Sequence, residues 1–202
     1  MSSRRVTTGE ITEVIRTITT AFGDDPVWGP ALRPSTGAAV DLEPYWRLFV
    51  ESAMDLGTAR TTDDGAAVSI WLPPGTAELD ERRLSLLDAF IAQSFDAPAI
   101  AALHALYDRF DASRADQVEH VYLSLLATHP AHRAQGRGQM LLAEDLAMWD
   151  AAGVPQYLES TNAGNNHRYA RAGFRPTGGF SATLDDTWIT AMWRSVGRAA
   201  GA

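Results

Sequence analysis

The sequence predicts an α/β protein, a mixed sheet with helices on both faces. Three observations carry that prediction. Strand-like apolar runs alternate with helically spaced segments along the whole chain. A hairpin signal stands in the first half, where Thr58 to Thr62 and Ala66 to Leu72 flank Asp63-Asp64-Gly65. In the second half the apolar run Val118 to Ala127 passes through a glycine-rich turn into the helical pattern Gln139 to Ala152. With 202 residues, 46% of them hydrophobic, the chain can bury one sizeable core. We therefore expect a single domain over 1–196 and a small-residue tail over 197–202.

Each element has its own warrant. Val6-Thr7 reads as an opening strand. Thr7 and Glu10 have capping-box spacing ahead of Ile11, Val14, Ile15, Ile18 and Phe22, so the first helix is expected to run to about Phe22. Gly23-Asp24-Asp25-Pro26 ends it, and Trp28 to Pro34 reads as loop. A second helix is expected over Ala38 to Leu56, then the hairpin, closed by Pro73-Pro74-Gly75. Glu78 to Phe95 and Pro98 to Arg114 read as two further helices, the second aligning Leu103, Leu106, Tyr107 and Phe110. After the strand and helix of the second half, Tyr157 to Thr161 reads as a strand and Asn165 to Phe174 as a short helix with a glycine stop. Phe174 to Ser181 and Thr187 to Arg194 read as closing strands.

Composition excludes several chemistries. The chain has no cysteine, so disulfides, thiolate metal sites and a cysteine nucleophile are out. A net charge of -8 argues against nucleic acid as a partner. The first residues lack an apolar signal core, and no stretch approaches the ~20 apolar residues of a membrane span. A soluble cytoplasmic protein with no membrane partner is the expectation. His129 and His132 are three apart but have Pro130 between them and no third ligand in range, so no metal is expected. Neither G-x-S-x-G nor H-E-x-x-H occurs.

The turn into the later helix carries the strongest chemical signal. Gly136 and Gly138 permit close backbone approach, and the helix begins without a Ser, Thr or Asp cap. Its first amides are then available to an anion. No Asp or Glu lies between Glu119 and Glu144, whereas Arg133 and Arg137 fall inside that window. The local field is positive against an acidic chain. The spacing fits neither a P-loop nor a dinucleotide fingerprint, which would need a small residue at Leu141.

It does fit R-x-x-G-x-G, through Arg133, Gly136 and Gly138. That segment resembles the acetyl-coenzyme A signature of the GNAT superfamily of N-acetyltransferases. Downstream, Tyr169 stands four residues ahead of Gly173-Phe174, as the tyrosine of that superfamily does. Thr19 to Pro26 and Ala67-Val68-Ser69-Ile70-Trp71 resemble the puromycin N-acetyltransferase branch in particular. The resemblance implies a GNAT-type sheet, mixed and mostly antiparallel. Against that pattern, the helices of 78–114 are an insertion before the cofactor-binding strand, serving either as extra packing or as a wall or lid over an acceptor site.

The same resemblance implies transfer of an acetyl group from acetyl-CoA to a primary amine of a small molecule, aminonucleoside-like or antibiotic, by direct attack in a ternary complex. Alternatives are acetylation of a protein or peptide amine, and a non-catalytic CoA-binding regulator. The implied cofactor contacts are Leu125, Leu126, Ala127 and Thr128 along the pantetheine arm, with a free N–H near Leu126 polarising the carbonyl. Arg133, Ala134, Gln135, Gly136, Arg137, Gly138 and Gln139 would hold the diphosphate, and Asn162 or Asn165 would bond the arm. Tyr169 is the implied acid at the departing sulfur. For the base, Glu159 is the carboxylate on its strand, with His120 as a second option. Asp24 and Asp25 are candidates to attract a cationic acceptor, or ordinary turn residues. A homodimer is left open.

Overall fold

The protein is described by a computed structural model covering residues 2–115 and 118–196. The expected tail at 197–202 lies outside the described residues. Seven strands form one sheet: β1 (Ser3–Arg5), β2 (Ala59–Thr62), β3 (Ala67–Leu72), β4 (Val121–Thr128), β5 (Gln156–Ser160), β6 (Arg175–Ser181) and β7 (Trp188–Arg194). Their order is β1-β2-β3-β4-β5-β7-β6. Every neighbouring pair is antiparallel except β4 with β5, which is parallel. The expected mixed, mostly antiparallel sheet is therefore found.

Helices cover both faces. One face carries α1 (Ile11–Gly23), α2 (Trp28–Ala31), α3 (Glu43–Asp55), α4 (Glu81–Ser94) and α5 (Ala97–Ala115). Their apolar sides, including Ile15, Ile18, Trp46, Leu87, Leu103 and Leu106, close a core on Val68, Ile70, Leu125 and Ala127. The opposite face carries α6 (Arg137–Ala151) and α7 (Asn166–Arg171), with Leu142 and Leu146 against Trp71, Leu123 and Leu158. Asp145 is buried in that second interface. It accepts from the Ser69 hydroxyl at 2.6 Å and the Trp71 indole at 2.8 Å, while Arg60 Nε lies 2.8 Å from its other oxygen. One carboxylate thus bolts α6 to β2 and β3.

Local chemistry explains most boundaries. The Glu10 carboxylate accepts from the Thr7 N–H at 3.1 Å ahead of α1, as the spacing predicts. The opening strand lies at Ser3–Arg5 rather than Val6-Thr7, because the hairpin edge pairs Arg4 with Thr61. The second long helix begins at Glu43, not Ala38, where Asp41 accepts from the Glu43 N–H at 3.0 Å and Pro44 sits in the first turn. A short helix, α2, occupies part of the expected 28–34 loop; Asp25 starts it by accepting from the amides of Val27 at 2.9 Å and Trp28 at 3.0 Å. Asp80 caps α4 through the Arg83 N–H at 2.8 Å.

The strand that matters most is β4. Val121 and Leu123 face α6, yet Leu125 and Ala127 face the other side, with Leu126 back toward α6. The alternation slips at Ser124, where Ile70 pairs with Leu125 and the next residue, Trp71, pairs with Leu123. Ser124 is thus the extra residue of a β-bulge, a device that bends a strand and re-aims its side chains. Beyond Tyr122, which pairs with Tyr157, β4 and β5 share no further ladder. From there β5 is paired with β7 alone, through Ser160 opposite Thr190. The two parallel strands part at the bulge.

Candidate active site

Two cavities meet where those strands part. The first, of about 440 Å³, lies between β4, the turn into α6, and α7. Its lining includes Leu126, Ala127, Thr128, Arg133, Ala134, Gly136, Arg137, Gly138, Gln139, Asn162, Asn165 and Tyr169, and also Asp24 and Asp25. The fold thus brings together the two separate sequence motifs and, from the end of α1, a third segment. Leu125 faces the other cavity, and Gln135 lies outside the lining, where it bonds the Ala131 carbonyl at 3.3 Å and the Arg137 guanidinium.

The turn places backbone amides of α6 at the cavity. Gly136 is the N-cap of α6 in the left-handed conformation at φ 78°, with no side chain bonded to the helix amides. The first helical bond from this end is Met140 N–H to the Gly136 carbonyl, 2.9 Å, so the amides of Arg137, Gly138 and Gln139 precede it. Ala134 is also left-handed, at φ 62°, a strain that alanine rarely bears and that the sequence does not announce. Gly138 also meets a packing requirement. A Cβ there would stand 2.5 Å from Thr128 Oγ1, so its bareness lets the helix seat on β4.

Charge in this cavity is positive on balance. Arg133, Arg137, Arg168 and Arg171 line it with His132 and His167, against Asp24 and Asp25. Asp25 is committed elsewhere, to the α2 amides and to the Thr161 hydroxyl at 2.7 Å. Asp24 lies 3.5 Å from Arg133. Both aspartates thus border the cationic cavity and neither lines the second one.

Tyr169 reaches the first cavity from α7 and packs edge-on against Phe174, ring centroids 6.1 Å apart. Burial, reinforced by the Asp25 charge, pushes its phenol up to about 12, so it stays protonated at neutral pH. Its hydroxyl makes no hydrogen bond to a described residue, which leaves it available to a group in the cavity.

The second cavity, of about 900 Å³, opens on the other side of β4. Aromatic rings dominate it: Phe22, Trp28, Tyr45, Trp46, Phe49, Tyr107, Phe110 and Tyr122. Leu84 and Leu87 of α4 and Phe110 and Arg114 of α5 form one side, so α4 and α5 are a wall of this cavity. Phe22 borders both cavities, and the adjacent Leu125 and Leu126 face one each. The β4 bulge is their common boundary.

Two carboxylates stand near this boundary. Glu159 of β5 lines neither cavity; both of its oxygens are buried behind Tyr122. Burial raises it to about 7, against the pull of the neighbouring Tyr122 phenol and the Arg114 charge. Glu78 does line the second cavity and accepts a hydrogen bond from Ser124, the bulge residue. Burial raises its carboxyl as well. Sequence reasoning missed Glu78 and Ser124. The only local signal is a carboxylate just beyond the Pro73-Pro74-Gly75 stop, and the bulge that presents Ser124 depends on β3–β4 register, which no short motif encodes.

No group of three or more potential metal-ligating side chains occurs among the described residues, and none of the described helices is long and apolar enough to cross a membrane.

No family model matches the sequence. Solved structures do match its fold. An acetyltransferase from Corynebacterium glutamicum related to a histone acetyltransferase is 22% identical, with TM-score 0.64 over 99% of this chain and 98% of that one. Arylalkylamine N-acetyltransferase 2 from Aedes aegypti is 14% identical, with TM-score 0.66 over 96% and 98%. A GNAT-family chain from Desulfovibrio desulfuricans is 15% identical, with TM-score 0.56 over 97% and 99%. The fold is that of the GNAT acetyltransferases, spanned from end to end.

Proposed function

We propose that this protein is an enzyme that moves an acetyl group from acetyl-CoA to a primary amine of a small molecule, by direct attack in a ternary complex. The observation that carries this reading is the meeting of a cationic, amide-rimmed cavity with an aromatic one at the point where β4 leaves β5. A diphosphate fits the first, where helix amides and arginines converge. The aromatic walls suit a small organic amine, and the bounding helices α4 and α5 favour it over a protein segment. The likeness to puromycin N-acetyltransferases narrows the acceptor to an antibiotic or aminonucleoside-like compound. The arylalkylamine enzyme of the same fold supports a small amine in general.

The residues divide the work as follows. The uncapped end of α6 with Arg133 and Arg137 binds the diphosphate, while the free edge of β4 from Leu125 to Thr128 and the amides of Asn162 or Asn165 align the pantetheine arm. Acetyl-CoA supplies an activated thioester. The Leu126 N–H polarises its carbonyl. As the C–N bond forms and the C–S bond breaks, Tyr169 gives its proton to sulfur and recovers one from the amide nitrogen through solvent. An incoming ammonium thus loses two protons, one of which ends on sulfur and one in solvent. A carboxylate near the boundary takes the first; Glu159, the candidate read from sequence, lines neither cavity.

Thiol release from acetyl-CoA against puromycin, 2-phenylethylamine and short peptides tests the reading. Turnover with a small amine supports it; turnover with peptides alone would reassign the acceptor, and acetyl-CoA binding with no turnover would make the protein a CoA-binding regulator.

A further inference from the structure

The aromatic cavity holds a carboxylate, Glu78, that no described cation contacts as an ion pair. Glu78 lies on the segment between β3 and α4, pinned by the Ser52 hydroxyl, which donates to its backbone carbonyl at 2.7 Å. Its side chain accepts from Ser124. Among the described residues no arginine lies within ion-pair distance of it; Arg114, whose charge acts on it from farther off, is paired with Asp111. A half-buried carboxylate with no cation in contact is costly, and a bound cation offsets that cost. The surrounding rings supply an apolar body site with faces that attract an ammonium. Trp28 and Phe110 are stacked at 5.4 Å, and the phenols of Tyr45 and Tyr107 bond each other at 2.8 Å. Along β4, Ser124 stands two residues before Leu126, whose side chain borders the cationic cavity.

Resting on the transfer reading above, we propose that Glu78, steadied by Ser124, seats the ammonium of a primary amine carried on an aromatic body and takes the proton that the amine must lose before it attacks. Glu78 then returns that proton to solvent, so the site is restored each turnover. The groups that face it are Ser124, Arg114, Asp111 and the phenols of Tyr45, Tyr107 and Tyr122. The phenols stay neutral because burial raises them. Arginine stays charged.

The test reads binding without catalysis. Trp28 and Trp46 line the cavity, so quenching of indole fluorescence reports its occupancy. We expect 2-phenylethylamine to bind at least tenfold more tightly than its neutral isostere 2-phenylethanol. Glu78→Gln, which keeps shape and the Ser124 contact, should abolish that preference and leave 2-phenylethanol unchanged, whereas Glu159→Gln should keep it. An amine preference that survives Glu78→Gln, or that is lost with Glu159→Gln instead, would overturn the assignment. So would equal binding of amine and alcohol by the wild-type protein. Calorimetric titration of acetyl-CoA in the same preparation separates the two readings. Loss of amine preference in Glu78→Gln with no acetyl-CoA binding would keep the ammonium seat and overturn transfer, while acetyl-CoA binding with an indifferent Glu78 would do the reverse.

Discussion

Thr128 Oγ1, at the end of β4, stands 2.5 Å from the place a Cβ on Gly138 would take. Strand and cofactor-side helix therefore touch through the one residue type that leaves room, and the cradle amides are held at a fixed height above the strand. Gly138→Ala should destabilise the protein by about 1–3 kcal/mol through overpacking. In a Thr128→Ala background the same change should cost nothing or stabilise slightly, since alanine is the better helix former by up to about 1 kcal/mol. Urea unfolding of the four proteins of this cycle checks it.

Tyr169→Phe should lower kcat by about 10²–10⁴, the usual worth of a positioned acid, with acetyl-CoA affinity almost unchanged. Steady-state kinetics with a calorimetric titration separates the two quantities. An unchanged kcat would remove Tyr169 as the acid.

Glu159 predicts a pH dependence of stability whose sign is unusual for a carboxylate. Burial raises it from an ordinary 4.5 to about 7, which means that ionisation is disfavoured in the folded state. Below the unfolded value there is no penalty. Between 4.5 and about 7 the penalty grows, and above that it is complete. At ~1.4 kcal/mol per pKa unit, Glu159→Gln should stabilise the protein by roughly 1–3 kcal/mol at pH 8 and change little at pH 4. Arg114 holds its charge, and Tyr122, Tyr157 and Ser113 stay neutral across this window, so the effect belongs to Glu159. Thermal unfolding across that range checks it.

Asp145 should behave in the opposite way. Removing it by Asp145→Ala leaves Arg60 and the Trp71 N–H without their buried partner and should cost about 3–5 kcal/mol, with loss of the α6 seat. Chemical denaturation measures the loss.

Much of this was legible in the chain because local rules agree with tertiary ones. The hairpin at Asp63-Asp64-Gly65 and the uncapped glycine before α6 sit where turn chemistry places them, and the long helices exist where periodicity predicts them, although α3 starts at Glu43 rather than Ala38 and α4 at Glu81 rather than Glu78. Most of the lining of the cationic cavity was readable for the same reason, since it comes largely from two contiguous motifs, with the end of α1 as a third contributor. What was not legible depends on pairing. The edge strand β1 is selected by its partner β2, so its place moved from Val6-Thr7 to Ser3–Arg5. The aromatic cavity gathers Phe22, Trp46, Glu78, Tyr107 and Ser124 from five separate segments, and only the bulge in β4 brings the last of these to it. Asp25 shows how a turn carboxylate becomes occupied: Oδ1 accepts from the amides that start α2 and Oδ2 from the Thr161 hydroxyl.

The most direct test of the central claim, two cavities meeting at β4 for direct transfer, is the initial-rate pattern with acetyl-CoA and an aromatic primary amine both varied. The account predicts intersecting double-reciprocal lines, as required when both substrates are bound before the acetyl group moves. Parallel lines would mean that the acetyl group first rests on the protein, and would contradict it.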